Sequence, residues 1–356
     1  MASLLPADGL HRLGVIVKDY SASIEEFSRF FGIEHWDIHR IDERRLSNAL
    51  FRGQPVVHSY ISAIGSKDGV ALELVQPLSG DSVFAEFLKH CGEGMHHLLT
   101  NVCPAAQFEP IRAQLETNGV RVAQSGSIDD ALDYYFLDTR EMLAGPLIQV
   151  LCPRQGATPI ALKPDEIVRF DEKITKWNRL PIQKIYHACI VTKGRREQVR
   201  DSLRELLGIE KWFDFANESG VSAVDTTLYG KPCKIAFNLS LGRRNTLCVE
   251  VVEEVYGRSI YTEFLEQRGE GLQHLMVSIC SEQAFQELRD WLDSQKMPLV
   301  MGGHAASRDF CYYGYLDTRS RLAGITMEFL CPAGKDWLKG RTEVGQILTG
   351  SEMVTT

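Results

Sequence analysis

The chain has 356 residues, 44% hydrophobic and 24% charged, with 39 Lys+Arg against 47 Asp+Glu for a net charge of −8. That length exceeds one ordinary core and suits two domains of about 150 residues. The acidic balance, without a long single-sign block, argues against a nucleic-acid binder, and no stretch approaches the ~20 apolar residues that cross a bilayer.

In chain order, residues 10–17 read LHRLGVIV, a strand whose alternation puts His11, Leu13, Val15 and Val17 on one face. Asp19 or Ser21 then caps a helix running to about residue 31, with Ile24, Phe27, Phe30 and Phe31 as its apolar stripe and Gly32 as a left-handed stop. Strands are expected around 45–51, 56–63 and 70–76. The order then restarts with a strand at 96–102, a helix at 105–118 ended by Gly119, and strands around 121–123, 133–138 and 146–152. Each stretch is a β-α-β-β-β unit.

The second half repeats the first. GIEHW at 32–36 returns as GIEKW at 208–212, and AEFLKHCGEGMHHL at 85–98 as TEFLEQRGEGLQHL at 262–275. YYFLDTREMLAGPLIQVLCP at 134–153 returns as YYGYLDTRSRLAGITMEFLCP at 312–332. Four such units in two pairs make an α+β chain with domains at 8–153 and 184–333. The stretch 154–183 is polar, carries three prolines and reads as a linker; the tail 334–356 has no counterpart in the first half.

A set of ligand-capable residues repeats with the text. His11, Glu73, His97 and Gln149 correspond to His187, Glu250, His274 and Glu328, at offsets 187−11 = 176, 250−73 = 177, 274−97 = 177 and 328−149 = 179. Glu250 in TLCVEVVEE and Glu328 in ITMEFLCP interrupt apolar strands, where an uncompensated carboxylate costs several kcal/mol. Glu73 and Gln149 break their strands at the same places. A single His on an apolar strand is usually a satisfied core residue, but recurrence of all four positions shifts the reading to a cation held in each half. Imidazole with carboxylate suits Zn, Ni, Co, Mn or Fe(II). Alternation puts His96, replaced by Gln273, on the other sheet face. Glu93 and Glu270 of the repeated GEG read as turn residues, and the pairs Arg195–Arg196 and Arg243–Arg244 as solvated turns. The nine scattered cysteines fit reduced thiols in a cytoplasmic protein that lacks an export signal.

Through GLHRLGVIV, FLKHCGEGMHHL and the two ligand sets, the chain resembles the vicinal oxygen chelate superfamily of glyoxalases, methylmalonyl-CoA epimerases and extradiol dioxygenases. The resemblance covers nearly all of both halves. It implies paired β-α-β-β-β modules forming a cupped mixed sheet around one divalent metal per domain, with helices outside. For activity it implies an isomerase, epimerase or lyase that removes a proton next to a carbonyl and stabilises an enediolate or enolate, with Glu328 as base. Gln149, its counterpart, takes no proton. The epimerase branch has a further carboxylate base on a middle strand; that neighbourhood here holds His58 and Lys234, candidate bases or plain packing and surface residues. The alternatives are a non-haem Fe(II) dioxygenase using His187, His274 and Glu328 with Glu250 off the metal, and a metal-free small-molecule binding or resistance protein. No nucleotide motif stands out, the expected partner is a small carbonyl substrate, and either a monomer or a homodimer fits.

Overall fold

The computed structural model describes residues 3–154, 162–305, 311–332 and 346–348. It divides into two compact units, with the main boundary between Trp177 and Asn178 and the short stretch Glu205–Gly208 grouped with the first.

The first lobe begins with β1 (Arg12–Ile16), helix α1 (Tyr20–Phe31), β2 (His35–Ile41), the hairpin β3 (Leu46–Phe51) and β4 (Gln54–Pro55), β5 (Ser59–Lys67) and β6 (Val70–Ser79). After α2 (Val83–Cys91) follow β7 (Gly94–Val102), α3 (Ala105–Thr117), β8 (Val122–Ile128), β9 (Leu132–Leu137), β10 (Leu147–Pro153), β11 (Glu166–Arg169) and the short α4 (Glu172–Thr175). The strands form one curled mixed sheet in the order β11-β2-β5-β6-β1-β7-β10-β9-β8-β3-β4. β1 runs parallel to β6 and antiparallel to β7, so the two modules join along their first strands.

Local chemistry accounts for the ends of α1. Asp19 accepts from the Ser21 and Ala22 amides, and Gly32 takes the left-handed conformation with φ 68° and donates to the Ser28 carbonyl. Its inner face buries Ile24, Phe27, Phe30 and Phe31, and the Trp36 indole donates to Ser28 Oγ at 2.8 Å.

The second lobe repeats the plan: β12 (His187–Thr192), α5 (Arg196–Leu207), β13 (Lys211–Glu218), β14 (Ala223–Leu228), β15 (Lys231–Pro232), β16 (Ala236–Arg244) and β17 (Leu247–Tyr256). Then come α6 (Ile260–Arg268), β18 (Gly271–Ile279), α7 (Glu282–Gln286), α8 (Arg289–Ser294), β19 (Leu299–Ala305), β20 (Cys311–Leu316) and β21 (Thr326–Pro332). The sheet order is β13-β16-β17-β12-β18-β21-β20-β19-β14-β15, the first lobe's order without its extra edge strand.

Three features depart from the sequence reading. β2, with its polar HWDIHRI text, is a module strand that no apolar run announces. The stretch expected at 45–51 is not its module's second strand; it pairs with β8 of the other module. The expected linker is partly built into the first lobe, because Glu166–Arg169 adds to the edge of β2. Of the tail, only 346–348 is described, and there Ile347 and Leu348 are buried. Arg243, expected to be a solvated turn residue, donates to the Ile347 carbonyl and, at 2.6 Å, to the Leu348 carbonyl. No described helix is long and apolar enough to cross a membrane.

Candidate metal centre

In the second lobe the first strand of each module and its partner strand point inward side by side. Cys189 on β12 lies opposite Glu250 on β17 and His274 on β18, and His187 lies two residues earlier on the same face. Glu328 enters from β21, opposite Met276. All four side chains are buried, and one donor atom from each lies within 4.8 Å of every other. His187 Nε2 is 3.0 Å from Glu328 Oε2 and 3.7 Å from Glu250 Oε2. His274 Nε2 is 3.2 Å from both carboxylates and 3.4 Å from His187 Nε2. Ligands on bonds of ~2.1 Å stand roughly 3.0–3.5 Å apart around one ion, so this spacing fits a divalent cation.

Two further observations support the fit. Glu250 Oε2 and Glu328 Oε2 are buried and accept no well-directed hydrogen bond. The Nδ1 of His274 meets Gln273 Oε1 at 2.6 Å, which places a hydrogen on Nδ1 and turns Nε2 toward the carboxylates. Glu328 Oε1 accepts from the Tyr315 hydroxyl at 3.1 Å, and that hydroxyl is 2.8 Å from the Tyr261 hydroxyl. Burial pushes both phenols well above their ordinary pKa, so they remain donors. Burial alone would also raise Glu328, but the His187 and His274 rings outweigh it and hold the carboxyl far below its usual range. Burial would lower His274; Glu250 and Glu328 overcome this and push it up to about 9.

Gln273 lay outside the sequence reading because strict alternation sends it to the far face. The sheet breaks that alternation. Cys189 pairs with His274 and Ile190 with Leu272, so Gln273 is the extra residue of a β-bulge. The same bulge in the first lobe brings His96 Nδ1 to 3.0 Å from His97 Nδ1.

The first lobe does not gather its expected set. Gly14 on β1 holds the place of Cys189, opposite both Glu73 and His97. Two residues earlier stands Arg12, not His11; Arg12 lies opposite Leu99 as His187 lies opposite Met276. The true offset at this strand is 187−12 = 175, and His11 corresponds to Tyr186. The His11 ring is half-exposed and pairs with Asp8 at 2.5 Å. Arg12 Nε approaches Glu73 Oε2 at 3.8 Å, as does His97 Nε2. Burial would raise Glu73, but Arg12, His97 and the Ser62 hydroxyl at 2.6 Å hold it down at about 2. Gln149 is buried, its Oε1 without a partner. A guanidinium offers no lone pair and carries its own charge, so this set does not fit a metal ion.

Neither candidate base on a middle strand reaches a cup. His58 is buried against Tyr60 with Nδ1 unpartnered, its pKa lowered by burial, and it lines neither the first-lobe nor the second-lobe cavity. Lys234 is exposed. The turn reading of the GEG repeat holds: Glu93 accepts from the Lys18 amide, and Glu270 from the Lys193 amide and the Arg195 guanidinium.

The second-lobe cup has a cavity of about 100 Å³ walled by Phe213, Phe215, Phe237, Tyr313, Leu330 and Leu348, with His187, Glu250 and Glu328 at its base. The first-lobe cup is larger, about 490 Å³.

Residues 11–137 match the Glyoxalase/Bleomycin resistance protein/Dioxygenase superfamily. That match lies within the first lobe, whose strand order the second lobe repeats. Among solved structures, it is similar to a mutant 4-hydroxymandelate synthase from Streptomyces coelicolor, with a TM-score of 0.55 and 12% identity over 92% of this chain and 94% of that one. It is also similar to the Mn(II)-bound glyoxalase from Novosphingobium aromaticivorans, with a TM-score of 0.46 and 12% identity over 92% and 82% of the two chains. No curated protein matches the chain. At 12% identity the likeness to the synthase is one of fold alone.

Proposed function

We propose that the second lobe is a divalent-metal enzyme site that removes a proton next to the carbonyl of a small, largely apolar substrate, as an isomerase, epimerase or lyase does. The observation that carries this reading is the presence of Glu250 in the cluster, 3.2 Å from His274 Nε2. A facial triad for oxygen chemistry uses two His and one carboxylate and leaves three positions open; four converging ligands leave room for substrate oxygens but less for dioxygen as well.

His187, Glu250, His274 and Glu328 would hold the ion, whose bound form supplies Lewis-acid polarisation of a carbonyl. The remaining work falls to the protein. Glu328 takes the proton from the carbon next to the carbonyl while Tyr315 holds Oε1, and returns it to the neighbouring carbon in an isomerase, to the opposite face of the same carbon in an epimerase, or to the leaving group in a lyase. Tyr261 fixes Tyr315 in turn. Phe213, Phe215 and Phe237 keep water from the cup and favour a substrate with an aromatic or branched apolar body.

The test is metal-free full-length protein reloaded separately with Mn, Ni, Co, Zn or Fe(II), then incubated in heavy water with α-hydroxy ketones and 2-oxo acids. The expected result is metal-dependent deuterium entry at the carbon next to the carbonyl without oxygen consumption. Oxygen uptake with Fe(II) and no deuterium entry would replace this reading with the dioxygenase.

A further inference from the structure

We infer that the first-lobe cup is a metal-free binding site for a neutral small molecule, one with an apolar body and a head that both donates and accepts hydrogen bonds, such as an α-hydroxy ketone or a carboxamide. Here the Arg12 guanidinium stands where the second lobe has His187.

Four buried groups lack hydrogen-bond partners at the base of this lobe: Arg12 Nε, Glu73 Oε2, His97 Nε2 and Gln149 Oε1. In the second lobe comparable atoms close on one another at 3.0–3.7 Å. Here Arg12 Nε and His97 Nε2 each stand 3.8 Å from Glu73 Oε2, too long for a hydrogen bond. A buried donor or acceptor left unmade is costly, so the three of these that line the cavity, on Arg12, Glu73 and Gln149, amount to an unmet demand. That demand is mixed. Arg12 Nε needs an acceptor, whereas Glu73 Oε2 and Gln149 Oε1 need donors.

Charge narrows the ligand. Arg12 and Glu73 already offset one another, so an anion entering the cup meets the Glu73 carboxylate and a cation meets the Arg12 guanidinium. A neutral head with both functions meets neither penalty. Above the polar floor Ile41, Leu99, Leu132, Leu151 and Ile167 supply the apolar part of the wall, beside Asp37 and His39, within a volume of about 490 Å³. That lies in the range of small-molecule sites and well above what a single bridging water needs.

This inference does not depend on the reaction proposed for the second lobe, and its test is separable. The His274→Ala chain, with the second centre disabled, is dialysed against Mn(II) and then titrated calorimetrically with benzamide, 2-hydroxyacetophenone, benzoate and benzylamine. We expect essentially no retained Mn(II), saturable binding of at least one neutral probe, and at least tenfold weaker binding of both charged ones. Arg12→Met and Gln149→Leu, each checked for an unchanged melting profile, should each weaken neutral binding about tenfold. A full equivalent of Mn(II) retained by His274→Ala, a preference for a charged probe, no saturable neutral binding (solvent alone in the cup), or neutral binding indifferent to both Arg12→Met and Gln149→Leu would each overturn the inference. If instead the wild-type chain binds no metal at all, the second-lobe proposal falls and this one stands.

Discussion

The two lobes share a strand order and a bulge, yet among the described residues only the second assembles a tight ligand cluster. The difference is concentrated in a few paired positions. Where the second lobe has His187, Tyr261, Gln273, Tyr315 and Glu328, the first has Arg12, Phe84, His96, Phe136 and Gln149. Phe84 and Phe136 pack edge to face with centroids 5.2 Å apart, in the places where Tyr261 and Tyr315 form a hydroxyl chain to Glu328. The inner ligand, its support and the support's own support have changed together. A cation site is therefore a property of the shell as a whole, because a buried carboxylate persists only where donors or a metal compensate it.

The sharpest way to break the contrast is to give the second lobe the first lobe's residue. Glu328→Gln should lower turnover at least 100-fold, an effect of about 3 kcal/mol on the barrier, while the chain still retains most of its metal by elemental analysis. Normal activity in Glu328→Gln would remove Glu328 as the base.

The next effect is one of pH on stability. His274 has a folded pKa of about 9 against an ordinary 6.5. Its raised value stabilises the metal-free protein fully below pH 6.5, and this contribution disappears as pH rises through 9. The loss is on the order of 3 kcal/mol. A bound metal replaces the proton, so the loaded protein should show no such slope. Denaturant unfolding of both forms at pH 6 and pH 9.5 checks this; equal slopes in the two forms would mean that His274 does not exchange a proton for the ion.

Gly14 sharpens the comparison from the other side. A Cβ added there would overlap the His97 ring, which lies over the bare backbone where the second lobe has the Cys189 side chain. Gly14→Ala must displace that ring and should destabilise the first lobe by about 2 kcal/mol, within the usual overpacking range. An unchanged midpoint in urea would show that the ring moves freely.

Much of this was legible in the sequence, and the failures have physical causes. The repeat, the module plan and all four positions of the second-lobe cluster follow from text repeated at nearly constant offsets. The first-lobe counterpart of His187 slips by one, because His11 and His187 look alike as letters while the register matches His187 with Arg12. A one-residue shift on a strand reverses the face, so His11 faces Asp8 while Arg12 occupies the floor of the cup. β2 escaped because HWDIHRI carries no apolar run, although its Trp36, Ile38 and Ile41 are buried. Gln273 and His96 escaped because a bulge defeats period two. Reading the Tyr261/Phe84 and Tyr315/Phe136 exchanges down the repeat would have flagged the functional asymmetry without any coordinates.

The smallest effect concerns Gln273, which touches His274 and none of the carboxylates. Its Oε1 fixes the hydrogen on Nδ1 and thereby the direction of Nε2. Removing such a support costs metal affinity by about tenfold, at the low end for residues that orient a ligand, while leaving the ligands themselves in place. Gln273→Ala should therefore raise the metal dissociation constant about tenfold with the far-ultraviolet dichroism unchanged, and Gln273→Glu, which keeps an acceptor at the same reach, should restore it. Replacing Gln273 by His, the first lobe's residue, asks whether the asymmetry between the lobes extends to this position: a ring nitrogen can accept the same hydrogen, so affinity intermediate between wild type and Gln273→Ala is expected. If all three variants bind metal as the wild type does, the bulge shapes the backbone alone and His274 owes its orientation to the carboxylates.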